Sequence, residues 1–316
     1  MDEDELVRLI ARHAGGVAPG DVGIGDDAAV VGDTAVCHDM LVQDVHFRWT
    51  WTSPADLGHK ALAVNLSDLA AMGASPTAAV VGLAMGPGPL AEPGAVAAMY
   101  DAMAALAAAC GCAIVGGDTS ASAVTVVGVT ALGRLPASGA VRRGGARAGD
   151  ALCVTGSVGA AAAGLAVREG HAPAGLDPDG NLETALLRPT PRVAEGIALA
   201  KAGVHAMIDC SDGLARDAGR LAAASGLGVT LDLDAVPLAP GVAGVARALG
   251  RDPAAFAASG GEDYELIVAL PGDAPAPDGV PLVRVGTLTA EPGVRAQPAG
   301  RLDPAHLGWR HRVGDA

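Results

Sequence analysis

Acidic residues recur in this chain inside short glycine-rich signatures. Asp26 and Asp27 lie in Gly23-Ile-Gly-Asp-Asp-Ala-Ala29, Asp68 in Asn65-Leu-Ser-Asp68, and Asp118 in Gly116-Gly-Asp-Thr119. Asp209 and Asp212 lie in Ile208-Asp-Cys-Ser-Asp-Gly213, and Glu262 and Asp263 in Gly260-Gly-Glu-Asp-Tyr-Glu265. Each signature ends an apolar run that reads as strand or helix, a place from which a side chain projects into a shared cleft. Carboxylates gathered in this way repel, by roughly 4 kcal/mol for a pair about 4 Å apart at an effective dielectric near 20. A hard divalent cation offsets that repulsion, Mg²⁺ above all, and Mg²⁺ held by a few carboxylates also coordinates substrate phosphates. The chemistry expected is metal-assisted handling of phosphate.

Asp68 is the most telling of these residues. A helix starts at Ser53-Pro54-Ala-Asp56, with Ser as N-cap, Pro in the first turn and an acid three residues on; Gly73 ends it. Positions 57, 61, 64, 68 and 72 follow helical spacing and are otherwise Leu, Ala, Val and Met, so Asp68 falls in the apolar stripe. There it is either an ion-paired core residue or a ligand, since an unpaired carboxylate is costly. The other acidic signatures favour the ligand. Asp209 stands one strand residue before Ser211-Asp212-Gly213, whose Ser or Asp could also cap the next helix. Gly23-Ile-Gly-Asp-Asp could be a tight turn and lacks the strand and third glycine of a dinucleotide fingerprint. Gly156-Ser-Val-Gly159 is a weak phosphate-loop candidate, and no Walker A sequence occurs.

The surrounding pattern supplies the framework. Residues 3–13 read as a helix, 34–43, 77–85 and 124–132 as buried strands, 92–110 as a helix and 113–115 as a short strand. The Gly, Pro, Ser and Arg-rich stretch from Gly133 to Gly149 marks a boundary, giving domains 1–137 and 148–316. In the second, strands are expected at 151–155, 204–210, 228–234, 264–270 and 282–287, with helices near 183–202 and 213–225. Alternation of this kind points to α/β or α+β layers.

Composition sets limits. A chain of 316 residues is long for one core. It is 50% hydrophobic but only 2% aromatic, so Ala, Val and Leu must fill the interior. A formal net charge of −14 argues against nucleic acid or anionic membrane as the main partner, and would repel a nucleotide unless metals intervened. The acidic N-terminus is unlike a signal peptide, and the alanine-rich run 95–115 is too polar to span a membrane. Five cysteines (Cys37, Cys110, Cys112, Cys153, Cys210) form no CxxC pair. That scatter reads as reduced thiols in the cytoplasm.

Taken together and in order, the signatures resemble those of the thiamine-monophosphate kinase family, within the superfamily that includes aminoimidazole ribonucleotide synthetase. The matching stretches are Gly23–Ala29, Asp39–Phe47, Lys60–Gly73, Gly116–Thr119, Arg188–Arg192, Ile208–Leu214 and Ser259–Leu266. The resemblance implies a two-domain fold of that superfamily, an N-terminal mixed sheet with flanking helices and a C-terminal α/β domain. It implies Mg²⁺-dependent transfer of the γ-phosphoryl group of ATP to thiamine monophosphate by a homodimer, with the active site in the cleft between domains. By position, Asp27, Asp39, Asp68, Asp118 and Asp209 match metal ligands, with Asp212 an additional one. The catalytic set is Asp27, Asp68, Asp118 and Asp209. Tyr100, Gly117, Asp118, Arg143 and Ser211 match ATP contacts, and His46, Glu262 and Trp309 match contacts to the thiamine substrate. Two departures stand out: Cys37-His38 where the family has small hydroxyl residues, and an altered C-terminal motif, Gly308-Trp-Arg-His-Arg312. Two rivals are another ATP-dependent synthetase of the superfamily and a non-catalytic metal-binding protein. The second should show self-contained loops, not acids spread from Asp26 to Asp263.

Overall fold

Helix α2 (Pro54–Ala71) organises the fold, and its start is the capping box read from the sequence. The Ser53 side chain accepts from the Asp56 peptide N–H, and the Asp56 carboxylate accepts from that of Ser53. Leu57, Ala61, Val64 and Met72 of its apolar stripe are buried, as expected. The computed structural model of the chain describes residues 3–309 except 273; Arg310–Arg312 of the C-terminal motif lie outside the described residues.

The first unit runs α1 (Glu3–His13), β1 (Ala29–Val31), β2 (Thr34–Val42), α2, β3 (Ser75–Met85), α3 (Ala95–Ala109), β4 (Ala113–Ala121) and β5 (Val126–Arg134). The second runs β6 (Ala151–Thr155), α4 (Ala160–Arg168), α5 (Asn181–Leu187), α6 (Val193–Ala202), β7 (Ala206–Asp209), α7 (Leu214–Ala224), β8 (Gly228–Asp232), α8 (Val242–Ala248), α9 (Pro253–Ser259), β9 (Leu266–Leu270), β10 (Leu282–Thr289) and β11 (Gly293–Gln297). The first sheet has the order β1-β2-β5-β3-β4, and the second β11-β8-β10-β6-β9-β7. Each is mixed: β3 and β4 are parallel in one, β11 and β8 in the other, and the remaining pairs are antiparallel. Two mixed sheets flanked by helices give the expected α/β (α+β) class.

Two apolar clusters form the interior, and the second sheet divides them. Cys153, Leu266, Val268 and Leu270 join the cluster built on α2 and the first sheet. Their neighbours Leu152, Val154, Ile267 and Ala269 join the cluster under α4 and α7. This is strand alternation with both faces buried. Helix α6 packs on α2 so closely that a Cβ at Gly196 would lie 2.2 Å from the Ala70 carbonyl oxygen. Gly196→Ala is therefore expected to destabilise the protein by roughly 3 kcal/mol, the upper end for overpacking, seen as a lower Tm. An unchanged Tm would show that α6 can move off α2 freely.

Three local expectations change. The helix expected near 183–202 is two helices, α5 and α6, because Arg188-Pro-Thr-Pro-Arg192 removes amide donors and disfavours helical backbone before each proline. The strand at 113–115 runs on to Ala121, so Gly116, Gly117 and Asp118 lie within β4, not beyond its end. Helix α4, directly after Gly159, was not foreseen, because Ala160-Ala-Ala-Ala163 carries no polar periodicity.

Candidate functional site

A cleft of about 1190 Å³ lies between the two units, lined by acidic residues of both. Asp27 reaches it from the turn before β1, Asp68 from the C-terminal third of α2, and Asp209 from the end of β7. One carboxylate oxygen from each lies within 4.8 Å of the others. Among the described residues this is the one such grouping of potential metal ligands.

The electrostatics of the cluster are unbalanced. Burial, then repulsion from Asp39, Asp209 and Asp27, pushes the Asp68 carboxyl well above its ordinary range. Burial, then Asp27 and Asp217, does the same to Asp209, and burial outweighs the Arg143 guanidinium at Asp27. Arg143 grips Asp27 with two bonds, Nη2 donating at 2.8 Å and Nε at 3.2 Å. Ser67 Oγ donates to Asp209 at 2.7 Å. One guanidinium, one hydroxyl and the Asp209 peptide N–H leave three carboxylates under-compensated. The donor set is all oxygen, and its spread is close to the ~4.2 Å between opposite ligands of a Mg²⁺ ion. These residues fit a hard divalent ion.

The flanking residues are positioned by specific bonds. The peptide N–H of Asp39 donates to Asn65 Oδ1 at 3.0 Å, which ties β2 to α2 next to Asp68. Cys37, where the family has a hydroxyl, faces the core and its thiol donates to the Asn65 carbonyl at 3.2 Å. Its neighbour His38 lines the cleft, with Nδ1 2.8 Å from Thr130 Oγ1. His46 lines the cleft too, and its Nδ1 accepts from the Val42 peptide at 3.1 Å. Arg143 and Ser211 are also on its wall. Trp309 lies at its edge, 56% exposed, with its peptide N–H donating to the Asp212 carbonyl at 2.9 Å.

Asp212 lines the cleft in the company of arginines. Arg220 Nη1 is 2.6 Å from its carboxylate and Arg216 Nε 3.3 Å. It does not cap α7; Gly213 holds the cap position, and Asp217 reaches back to accept from the peptides of Asp212 (2.8 Å) and Gly213 (3.1 Å). The Gly156–Gly159 phosphate-loop reading also falls away. The head of α4 is filled by Asp263, whose carboxylate accepts from the Gly159 peptide at 2.8 Å. A buried carboxyl group already occupies the position a phosphate would take.

Tyr100, Gly117 and Asp118 are not brought into this cleft. Tyr100 is half-buried on α3 against the first core. The register runs Asp39–Val129–Val81–Gly117 across the sheet, with Met40–Gly128–Gly82–Asp118 as the next row. Asp39 on β2 is thus three strand spacings, about 14 Å, from β4. Asp118 also belongs to the opposite face from Asp39. Gly117 is required for packing, since a Cβ there would lie 1.9 Å from the Val81 carbonyl oxygen.

One residue on the wall was not singled out from the sequence. Lys60, 3% exposed, pairs with Glu262 at 2.7 Å. Its signal was present, since Lys60, Val64 and Asp68 recur at four-residue spacing on one face of α2.

The family model for the N-terminal domain of AIR synthase related protein matches residues 25–135, and that for its C-terminal domain residues 147–297. The paired sheets and the acidic cleft thus define a protein of the AIR synthase-related class. The chain is 44% identical over 263 residues to a thiamine-monophosphate kinase of Mycobacterium tuberculosis (strain CDC 1551 / Oshkosh), covering 81% of this chain and 76% of that protein. The crystal structure of thiamine-monophosphate kinase from Stenotrophomonas maltophilia K279a is 34% identical, with a TM-score of 0.74 over 93% of this chain and 95% of that one. A structure described as "AaThiL complexed with AMPPCP and TMP" gives a TM-score of 0.85 at 29% identity, over 98% and 97% of the two chains. The chain belongs to the thiamine-monophosphate kinase family.

Proposed function

We propose that this protein transfers the γ-phosphoryl group of ATP to the phosphate of thiamine monophosphate, forming thiamine diphosphate and ADP. The observation that carries this reading is the Asp27, Asp68 and Asp209 cluster in an interdomain cleft, in a chain of this family. The attacking oxygen belongs to an anionic phosphate, so the site needs no strong general base. Its work is in-line positioning and charge neutralisation. Asp27, Asp68 and Asp209, with Asp39 beside them, would hold Mg²⁺, which would supply positive charge to the phosphoryl group in transfer. Asp212 would join by releasing Arg216 and Arg220. Arg143 and Ser211 would position the nucleotide, while His46, Glu262 and Trp309 face the acceptor. A panel of phosphoryl acceptors assayed with ATP and Mg²⁺ tests this: thiamine monophosphate should stand out, and turnover of free thiamine alone would overturn the assignment.

The acceptor contacts should separate from the nucleotide contacts. Trp309→Ala removes a ring that can stack on the pyrimidine or cationic thiazolium, an interaction of about 0.5–2 kcal/mol. We expect a severalfold to few-tens-fold rise in KM for thiamine monophosphate and little change for ATP. Unchanged kinetics would place the indole outside the acceptor site.

We further propose a homodimer in which residues 1–137 pair across the interface and 148–316 complete each cleft. Strand β4 supports this: it is a sheet edge, exposed along most of its length, with Val115 63% exposed. Such an edge is normally covered. Asp118, Gly117 and Tyr100 would then serve as metal and ATP contacts for the second copy's cleft. The reaction belongs in the cytoplasm, which agrees with five free cysteines. No helix among the described residues is long and apolar enough to cross a membrane.

A further inference from the structure

Lys60 is a charged residue placed where an apolar one is expected. Its side chain is 4% exposed, on the face of α2 that also carries Val64 and Asp68, and its ammonium meets Glu262 Oε1 at 2.7 Å. Burying an ammonium costs several kcal/mol unless a partner compensates it. The partner is itself held in an uncommon way. Glu262 has φ +67°, in the left-handed region, and its peptide N–H donates to the Ser211 carbonyl at 2.7 Å. A Cβ at Gly261 would lie 2.7 Å from the same carbonyl, so glycine is needed for the loop to come this close. The strained backbone and the buried cation together fix one carboxylate at the cleft wall, still 31% exposed.

Helix α2 also sets a distance. Lys60, Val64 and Asp68 all line the cleft, and eight residues of helix span about 12 Å. The carboxylate cluster and the Lys60–Glu262 pair therefore stand at the two ends of a slot for an elongated ligand, phosphate at one end and ring at the other.

We propose that Lys60 is a positioning residue for the phosphoryl acceptor. It binds one oxygen of Glu262 and leaves the other to accept a hydrogen bond from the ring end of the acceptor. This rests on the kinase reading above. The Lys60–Glu262 pair has no net charge, so it favours a polar donor such as a ring amine over a bare anion or a phosphate.

The test uses Lys60→Met, Lys60→Gln, Glu262→Gln and the Lys60→Met/Glu262→Gln double variant in the full chain, with kcat and KM measured for both substrates in Mg²⁺. A hydrogen bond to a charged group corresponds to about a ten- to hundredfold change in binding. Lys60→Met should raise KM for thiamine monophosphate by about that factor and leave KM for ATP within about twofold. The double variant should be no worse than Glu262→Gln alone, because both residues act through one contact. If Lys60→Met does not fold, Lys60→Gln, which keeps a polar group at the site, should show the same split. An unchanged KM for thiamine monophosphate, an equal rise in both KM values, or additive effects in the double variant would overturn the proposal. If the wild-type protein itself fails to phosphorylate thiamine monophosphate, the underlying kinase reading falls instead.

Discussion

Replacing Asp68 or Asp209 by asparagine should lower phosphoryl transfer at least about a thousandfold, which corresponds to losing roughly 4 kcal/mol of transition-state stabilisation. The same change should leave the metal-free protein as stable as the wild type, or more so. Both carboxyls are pushed above their ordinary range by burial first and by neighbouring carboxylates second. A neutral amide of nearly equal volume removes that repulsion. The folded state keeps protons on these groups that the unfolded chain releases around its ordinary value of 3.8, so this contribution to stability is present at low pH. It is lost as the pH rises through the raised values. Melting curves of metal-free wild-type protein should therefore fall in Tm with rising pH, with a shallower slope in Asp68→Asn. Added Mg²⁺ should raise the wild-type Tm by mass action and should do little for the variant. A variant that keeps its activity but melts much lower would mark these acids as structural partners only.

The second large effect concerns Asp118. Asp118→Asn should abolish turnover as Asp68→Asn does, although the two residues lie on different walls of one chain. In a symmetric dimer each cleft would combine Asp68 of one copy with Asp118 of the other. Mixing equal amounts of inactive Asp68→Asn and inactive Asp118→Asn chains, with exchange of subunits, should then restore about a quarter of wild-type activity, because half of the dimers are mixed and each has one intact cleft. Restoration with subunit exchange is the signature of the shared site. A mixture that stays inactive while mixed dimers demonstrably form would confine Asp118 to its own chain and to another role.

Much of this site was legible in the sequence because its residues break local patterns. Asp68 interrupts an apolar stripe whose period is unmistakable, and the Ser53–Asp56 capping box fixes where that stripe begins. Asp209 ends an apolar run and is followed three residues later by a second acid. Other features depend on partners far away in sequence. Asp263 looks like one more ligand candidate in Gly260-Gly-Glu-Asp, yet it caps α4 through Gly159, about a hundred residues earlier. Asp212 has the spacing of a helix cap, but Gly213 holds the cap position, and the Asp217 carboxylate instead accepts from the Asp212 and Gly213 peptides just before the helix. Lys60 was hidden for a related reason. A lysine at a helix position reads as a long side chain reaching solvent, which masks the four-residue spacing that puts Lys60 on the same face as Val64 and Asp68. The distance between Asp39 and Asp118 follows from strand order, which local motifs do not encode.

This cleft is expected to transfer phosphate to thiamine monophosphate with divalent metal held by Asp27, Asp68 and Asp209. The most direct measurement incubates the purified protein with thiamine monophosphate and γ-labelled ATP, with Mg²⁺ or with a chelator, and separates the products by chromatography. Label is expected in thiamine diphosphate, formed in step with ADP and only when Mg²⁺ is present. Release of labelled inorganic phosphate with no labelled thiamine diphosphate, or equal transfer in the presence of the chelator, would contradict it.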